Sequence, residues 1–93
     1  MHEENSLTHI LNALAAGQLD KAQERIDMEK SRDNLSAQLF YLEGKLQMKR
    51  SNWGKAISCF LKAEEMDPEG PAKECLLMLN DIMAFYNKDM YNQ

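Results

Sequence analysis

The chain has 93 residues, 44% of them hydrophobic and 28% charged, with 15 acidic and 11 basic side chains and a formal charge of −4. That length supports one small domain, and the acidic balance disfavours nucleic acid, because phosphate attraction supplies most non-specific affinity for it. No apolar run approaches the roughly 20 residues of a membrane span, and the acidic start is followed by no long apolar core, so a cytoplasmic setting without membrane contact is expected.

Five amphipathic helices are expected in chain order. The first covers Leu7 to Ala16, with Leu7, Ile10, Leu11 and Leu14 on one face, Ser6 as its cap and Gly17 as a left-handed stop. The second runs from Leu19 to Lys30 on a narrow stripe of Leu19, Ala22 and Ile26, and Ser31 to Asn34 form a polar turn. In the third, Leu35 to Arg50, the leucines Leu35, Leu39, Leu42 and Leu46 make one continuous seam beside Phe40 and Gly44. Asn52 is positioned to cap the fourth, Trp53 to Met66, which carries Ala56, Ile57, Phe60 and Ala63. Pro68 ends that helix, because proline cannot continue it and biases Asp67 away from helical dihedrals. Pro71 suits the first turn of a fifth helix, Ala72 to Asn87, which is apolar on more than one face.

Side-chain chemistry for catalysis is sparse. His2 and His9 are the only histidines, and neither cysteine, Cys59 or Cys75, has a histidine at ligand spacing. Both cysteines sit in apolar helical patterns, where buried free thiols are the expected state. The four glycines are scattered rather than gathered into a phosphate-cradling loop. No catalytic, cofactor or metal site is expected.

The chain repeats itself. A step of 34 residues carries Leu19 onto Trp53, Ala22 onto Ala56, Ile26 onto Phe60, and Asp33 onto Asp67. Within the second copy, Gly44, Ala56, Phe60, Ala63 and Pro68, with Trp53 ahead of Ala56, resemble the tetratricopeptide repeat, a helix–turn–helix unit of about 34 residues. The resemblance is good from Phe40 to Pro68 and partial from Leu7 to Asn34. The chain departs from the family pattern at Glu43 and Gln47, where leucine and tyrosine are usual, and at Ile10 and Glu29, where the first repeat should have glycine and alanine.

The resemblance implies an all-α fold of antiparallel helix pairs, stacked as a short right-handed superhelix. Its repeats would cover about 6–34 and about 35–68, with a capping helix over about 71–88. It also implies a protein-interaction module, in which the first helix of each pair lines a concave groove for a peptide or helix of a partner. Carried over to this sequence, the groove residues would be Gln38, Tyr41, Lys45, Met48 and Lys49. Leu7, Leu11 and Leu14 would join them from the first repeat, and Cys75, Leu79 and Ile82 from the last helix. For Tyr41 and Met48 the competing role is packing against neighbouring helices; for Lys45 and Lys49 it is plain solvation. Leu7, Leu11 and Leu42 stand where a carboxylate clamp for chaperone tails would need lysine and asparagine, which disfavours that ligand.

Two other functions follow from the residues. Leu77, Met78 and Phe85 lie off the main stripe of the fifth helix, Ala72, Cys75, Leu79, Ile82 and Tyr86, and would serve a homodimer or a second partner. Lys45, Lys49 and Arg50 form the local basic cluster through which a small regulatory subunit would hold nucleic acid, against the acidity of the whole.

Overall fold

The computed structural model describes residues 6–91, with side chains to residue 84. His2 and the side chains of Phe85 and Tyr86 lie outside the described residues. Every regular element among them is a helix: α1 Ser6–Ala15, α2 Leu19–Ser31, α3 Ala37–Lys49, α4 Trp53–Met66 and α5 Ala72–Tyr91. The connections are three to five residues long, which makes successive helices antiparallel neighbours.

The first three helices end in the same way. The Gly17 N–H donates to the Leu14 carbonyl and the Gln18 N–H reaches back to Ala13, at 3.1 and 2.8 Å. Asp33 and Asn34 repeat this on Lys30 and Glu29, and Ser51 and Asn52 on Met48 and Gln47. This pairing is the Schellman closure, and it needs a left-handed residue at its centre. Gly17, Asp33 and Ser51 supply it, with φ of 77°, 61° and 61°. Gly17 is the stop expected from sequence. Asp33 and Ser51 adopt the strained conformation without being glycine, and Ser51 lies one 34-residue step beyond Gly17.

Two caps differ from expectation. Ser6 opens α1, but its hydroxyl donates to Glu29 Oε2 at 2.6 Å. Asn52 stands at the N-cap of α4 without a capping bond, and its amide donates instead to Gln47 Oε1 at 3.0 Å. The third helix starts two residues late. Ser36 caps it by accepting from the Leu39 N–H at 3.1 Å, which leaves Leu35 outside the helix and 46% exposed. The seam is therefore Leu39, Leu42 and Leu46, all buried.

Two apolar clusters form. One joins α1, α2 and the seam of α3 through Ile10, Ala13, Leu14, Ala22, Ile26, Leu39, Leu42 and Leu46. The other joins α4 and α5 through Ala56, Phe60, Ala63, Ala72, Cys75 and Leu79. Tyr41 packs against both and so links them. Each fully buried leucine, isoleucine or phenylalanine contributes roughly 1.5–3 kcal/mol.

The 34-residue step survives in three dimensions. Ile10 and Gly44, Ala13 and Gln47, Ala22 and Ala56, Ile26 and Phe60, and Glu29 and Ala63 are all buried pairs. The departure at Ile10 has a packing reason. A Cβ at Gly44 would lie 2.6 Å from Phe60 Cε1, so in the second pair the aromatic ring occupies the place of a side chain. The first pair divides the volume between Ile10 and Ile26, both fully buried. The fifth helix keeps a different register: Ala72, Cys75 and Leu79 lie 33 residues beyond the seam leucines, and all three are buried.

Candidate functional site

Helix α3 contacts α1, α2 and α4. Its seam leucines face the first helix pair, and Gly44 meets Phe60 of α4. On a helix of 3.6 residues per turn these two contacts leave two flanks, an open one through Gln38, Tyr41, Lys45, Met48 and Lys49, and one through Phe40, Glu43 and Gln47 that is largely covered by its neighbours.

The first flank carries the residues expected to face a partner. Gln38 and Lys49 are exposed, while Tyr41, Lys45 and Met48 are half-buried. The Tyr41 ring packs on Phe60, with centroids 5.7 Å apart and planes tilted by 55°. Lys45 places its ammonium 5.7 Å from the centre of the Tyr41 ring. Met48 rests against the α4–α5 cluster. Tyr41 and Met48 thus combine packing with an exposed remainder. Beside them a small cavity of about 80 Å³ opens between Gln38, Tyr41, Ala63 and Pro71. The other groove positions divide. Leu14, Cys75 and Leu79 are core residues rather than lining, Leu7 and Ile82 are half-buried, and Leu11 is 55% exposed. An apolar stripe at helical spacing reads the same whether it faces a groove or a neighbouring helix.

The second flank was not singled out by sequence reasoning. It opens into a cavity of about 390 Å³ between α2, α3 and α4, with Lys30, Phe40, Glu43, Lys55, Cys59 and Lys62 on its walls. Lys30 Nζ pairs with Glu43 Oε2 at 2.8 Å. The other oxygen, Glu43 Oε1, is sealed from solvent with no well-formed hydrogen bond. The half-buried Cys59 thiol adjoins this carboxylate. Burial first, then the charge of Glu43 and a hydrogen bond to it, push the thiol up to about 11, so it is no nucleophile at neutral pH. Lys30 and Lys62 both lie over the Phe40 ring, 5.5 and 5.8 Å from its centre. The sequence signal for this flank was present: Glu43 and Gln47 are two of the departures from the repeat pattern.

Of the local basic cluster, Arg50 is committed to Asp20 at 2.8 Å and Lys45 lies over Tyr41. A wider trough of about 550 Å³ against α1 and α2 mixes Lys21 and Arg25 with Glu24, and its polar side chains are exposed or half-exposed. Leu77 and Met78 of α5 are 59% and 43% exposed. No helix among the described residues is long and apolar enough to cross a membrane. The chain matches no family model, no curated protein and no solved structure.

Proposed function

We propose that the chain is a protein-interaction module of tetratricopeptide type, which holds a peptide or helix of a partner protein along the exposed flank of α3. The observation that carries this reading is the Tyr41–Lys45–Met48 ridge. It offers a half-exposed aromatic ring, a thioether and an ammonium on one face of a helix clamped on two other sides. Aromatic and methionine side chains held at a surface are favoured contact residues, and a ridge fixed from behind loses little freedom on binding. Kinship with the repeat family is supported by the five buried pairs 34 residues apart and by the matching ends of α1 and α3.

The test changes the three polar residues of this flank, because Tyr41 also supports the core. Proteins captured from the native host by the wild-type chain are compared with those captured by a Gln38→Ala, Lys45→Ala, Lys49→Ala variant of equal melting temperature. A species retained by the first and lost by the second is expected; identical capture by both would refute the ridge as the partner surface.

A second reading rests on Leu77 and Met78, which leave an apolar patch on α5 open to a second copy. Light scattering at tens of micromolar decides it, and a monomer mass there removes the homodimer.

A further inference from the structure

We propose that the cavity between α2, α3 and α4 is a second docking site, on the opposite flank of α3 from the ridge, and that its occupant is an acidic segment of a partner protein. The first observation is charge. The chain as a whole is acidic at −4, yet this cavity gathers Lys30, Lys55 and Lys62 around one acid, Glu43. Glu43 is taken by Lys30 at 2.8 Å. Among the described residues no ion pair forms to Lys55 or Lys62, so the cavity keeps two positive charges in excess. Such a local reversal of sign raises the concentration of anionic groups at the site and steers them to it.

The second observation is preorganisation. Phe40 holds the ammonium groups of Lys30 and Lys62 over its ring, which restrains two long side chains before any ligand arrives. Lys55 and Lys62 stand seven residues apart on α4, two helical turns or about 10 Å along the axis. Acidic side chains two residues apart share one face of an extended segment about 7 Å apart, within reach of two flexible lysine stems.

The third observation favours a short acidic peptide over a long polyanion such as nucleic acid. The chain is acidic, at −4 overall, so a polyanion long enough to run beyond the lysines meets net repulsion. A short acidic segment needs only the three lysines and can end where they end.

The probe is a fluorescein-labelled, N-acetylated hexaglutamate peptide, followed by anisotropy against the full chain. Hexalysine, inorganic phosphate and a single-stranded oligouridylate are the comparisons. We expect saturable hexaglutamate binding at about 20 mM salt that weakens as the Debye length shortens toward about 8 Å at physiological ionic strength. A Lys55→Glu, Lys62→Glu variant, changed only at exposed positions, is expected to keep its melting temperature and to bind about tenfold more weakly, since each exposed pair contributes up to about 1 kcal/mol. The ridge variant Gln38→Ala, Lys45→Ala, Lys49→Ala is expected to bind hexaglutamate as the wild type does, which separates this site from the ridge. Absence of saturable binding, or undiminished binding by the charge-reversed variant, would overturn the proposal. So would oligouridylate binding at least as tightly, or displacement of the peptide by phosphate at equal concentration.

Discussion

Replacing Gly44 with alanine is a sharp probe of how the second helix pair is built. In an exposed helix the change gains about 1 kcal/mol, because glycine is the poorer helix former. Here the new methyl would lie 2.6, 2.7 and 2.8 Å from Cε1, Cζ and Cδ1 of Phe60. Carbon atoms in good contact sit about 3.5–4.0 Å apart, so the ring must retreat by about 1 Å. It cannot do so freely, because its other neighbours include the Tyr41 ring, and Phe60 is fully buried. Overpacking of this kind costs roughly 1–3 kcal/mol, and three contacts with one rigid ring place it in the upper half of that range. The net expectation is a loss of about 1–2 kcal/mol, with the sign opposite to helix propensity.

The same substitution made on Phe60→Leu separates crowding from other causes. Leucine lacks the two closest ring atoms, and Phe60→Leu alone is expected to cost about 1–2 kcal/mol, less than the 3–5 kcal/mol of Phe60→Ala. In that background Gly44→Ala is expected to stabilise by about 0.5–1 kcal/mol, so the cycle yields an interaction energy of about 2 kcal/mol. Urea unfolding followed by helical ellipticity measures all four proteins. A stabilising Gly44→Ala in the parent, or an equal cost in both backgrounds, would mean that the ring does not rest on Gly44.

Two further predictions concern the buried acids and the thiol. The Glu29 carboxylate is held below its ordinary value of 4.5 by the Ser6 hydroxyl first and the Asn34 amide second, with Arg32 and Arg25 adding to this against the opposing effect of burial. A folded-state value below the unfolded one gives stability that is complete above 4.5 and lost as pH falls through the folded value. Urea midpoints are therefore expected to fall more steeply on acidification for the wild type than for Glu29→Gln, and parallel profiles would remove Glu29 from that role. For Cys59, alkylation by iodoacetamide in a Cys75→Ala background should rise with the thiolate fraction, about tenfold per pH unit, and level off only near about 11. Glu43→Gln should move that rise to lower pH, and an unmoved profile would show that burial alone sets it.

Much of this fold was legible because packing leaves short-range marks. The Leu39, Leu42, Leu46 seam, the buried Ala56, Phe60 and Ala63 of α4 and the Ala72, Cys75, Leu79 stripe each depend on residues whose size and spacing admit few alternatives. The start of α3 was misplaced because Leu35 continues the leucine spacing, whereas Ser36 capping chemistry sets the boundary. Asp33 and Ser51 hid two left-handed helix ends, since only glycine announces that conformation by its identity. The cavity of three lysines was less accessible still. Lys30 comes from α2 and Lys55 and Lys62 from α4, and no local pattern brings them together. On the ridge, the five named residues do share one flank, but Leu14, Cys75 and Leu79 turned inward because their periodicity is that of any buried face.

Three buried polar side chains explain how the first helix pair holds the second. Glu29, Glu43 and Gln47 are buried at positions where the family pattern is apolar, and each reaches across an element boundary. Glu29 ties the start of α1 and the α2–α3 turn to α2 through Ser6 and Asn34. Gln47 ties the α3–α4 turn to α3 through Asn52, and Glu43 joins α3 to α2 through Lys30. Directional bonds of this kind fix where helices sit relative to one another, which contacts among leucines do less well. The two glutamates then part company. Both oxygens of Glu29 are bonded, at 2.6 and 2.9 Å, and nothing about it asks for a ligand. Glu43 is as deeply buried, yet its Oε1 has no hydrogen-bond partner, and its carboxylate adjoins the Cys59 thiol at the edge of a lysine-lined cavity. A buried acceptor left short costs about 1–3 kcal/mol, and natural proteins carry such costs where a site needs them. The first ties α1 and the α2–α3 turn to α2; the second anchors Lys30 at the wall of that cavity.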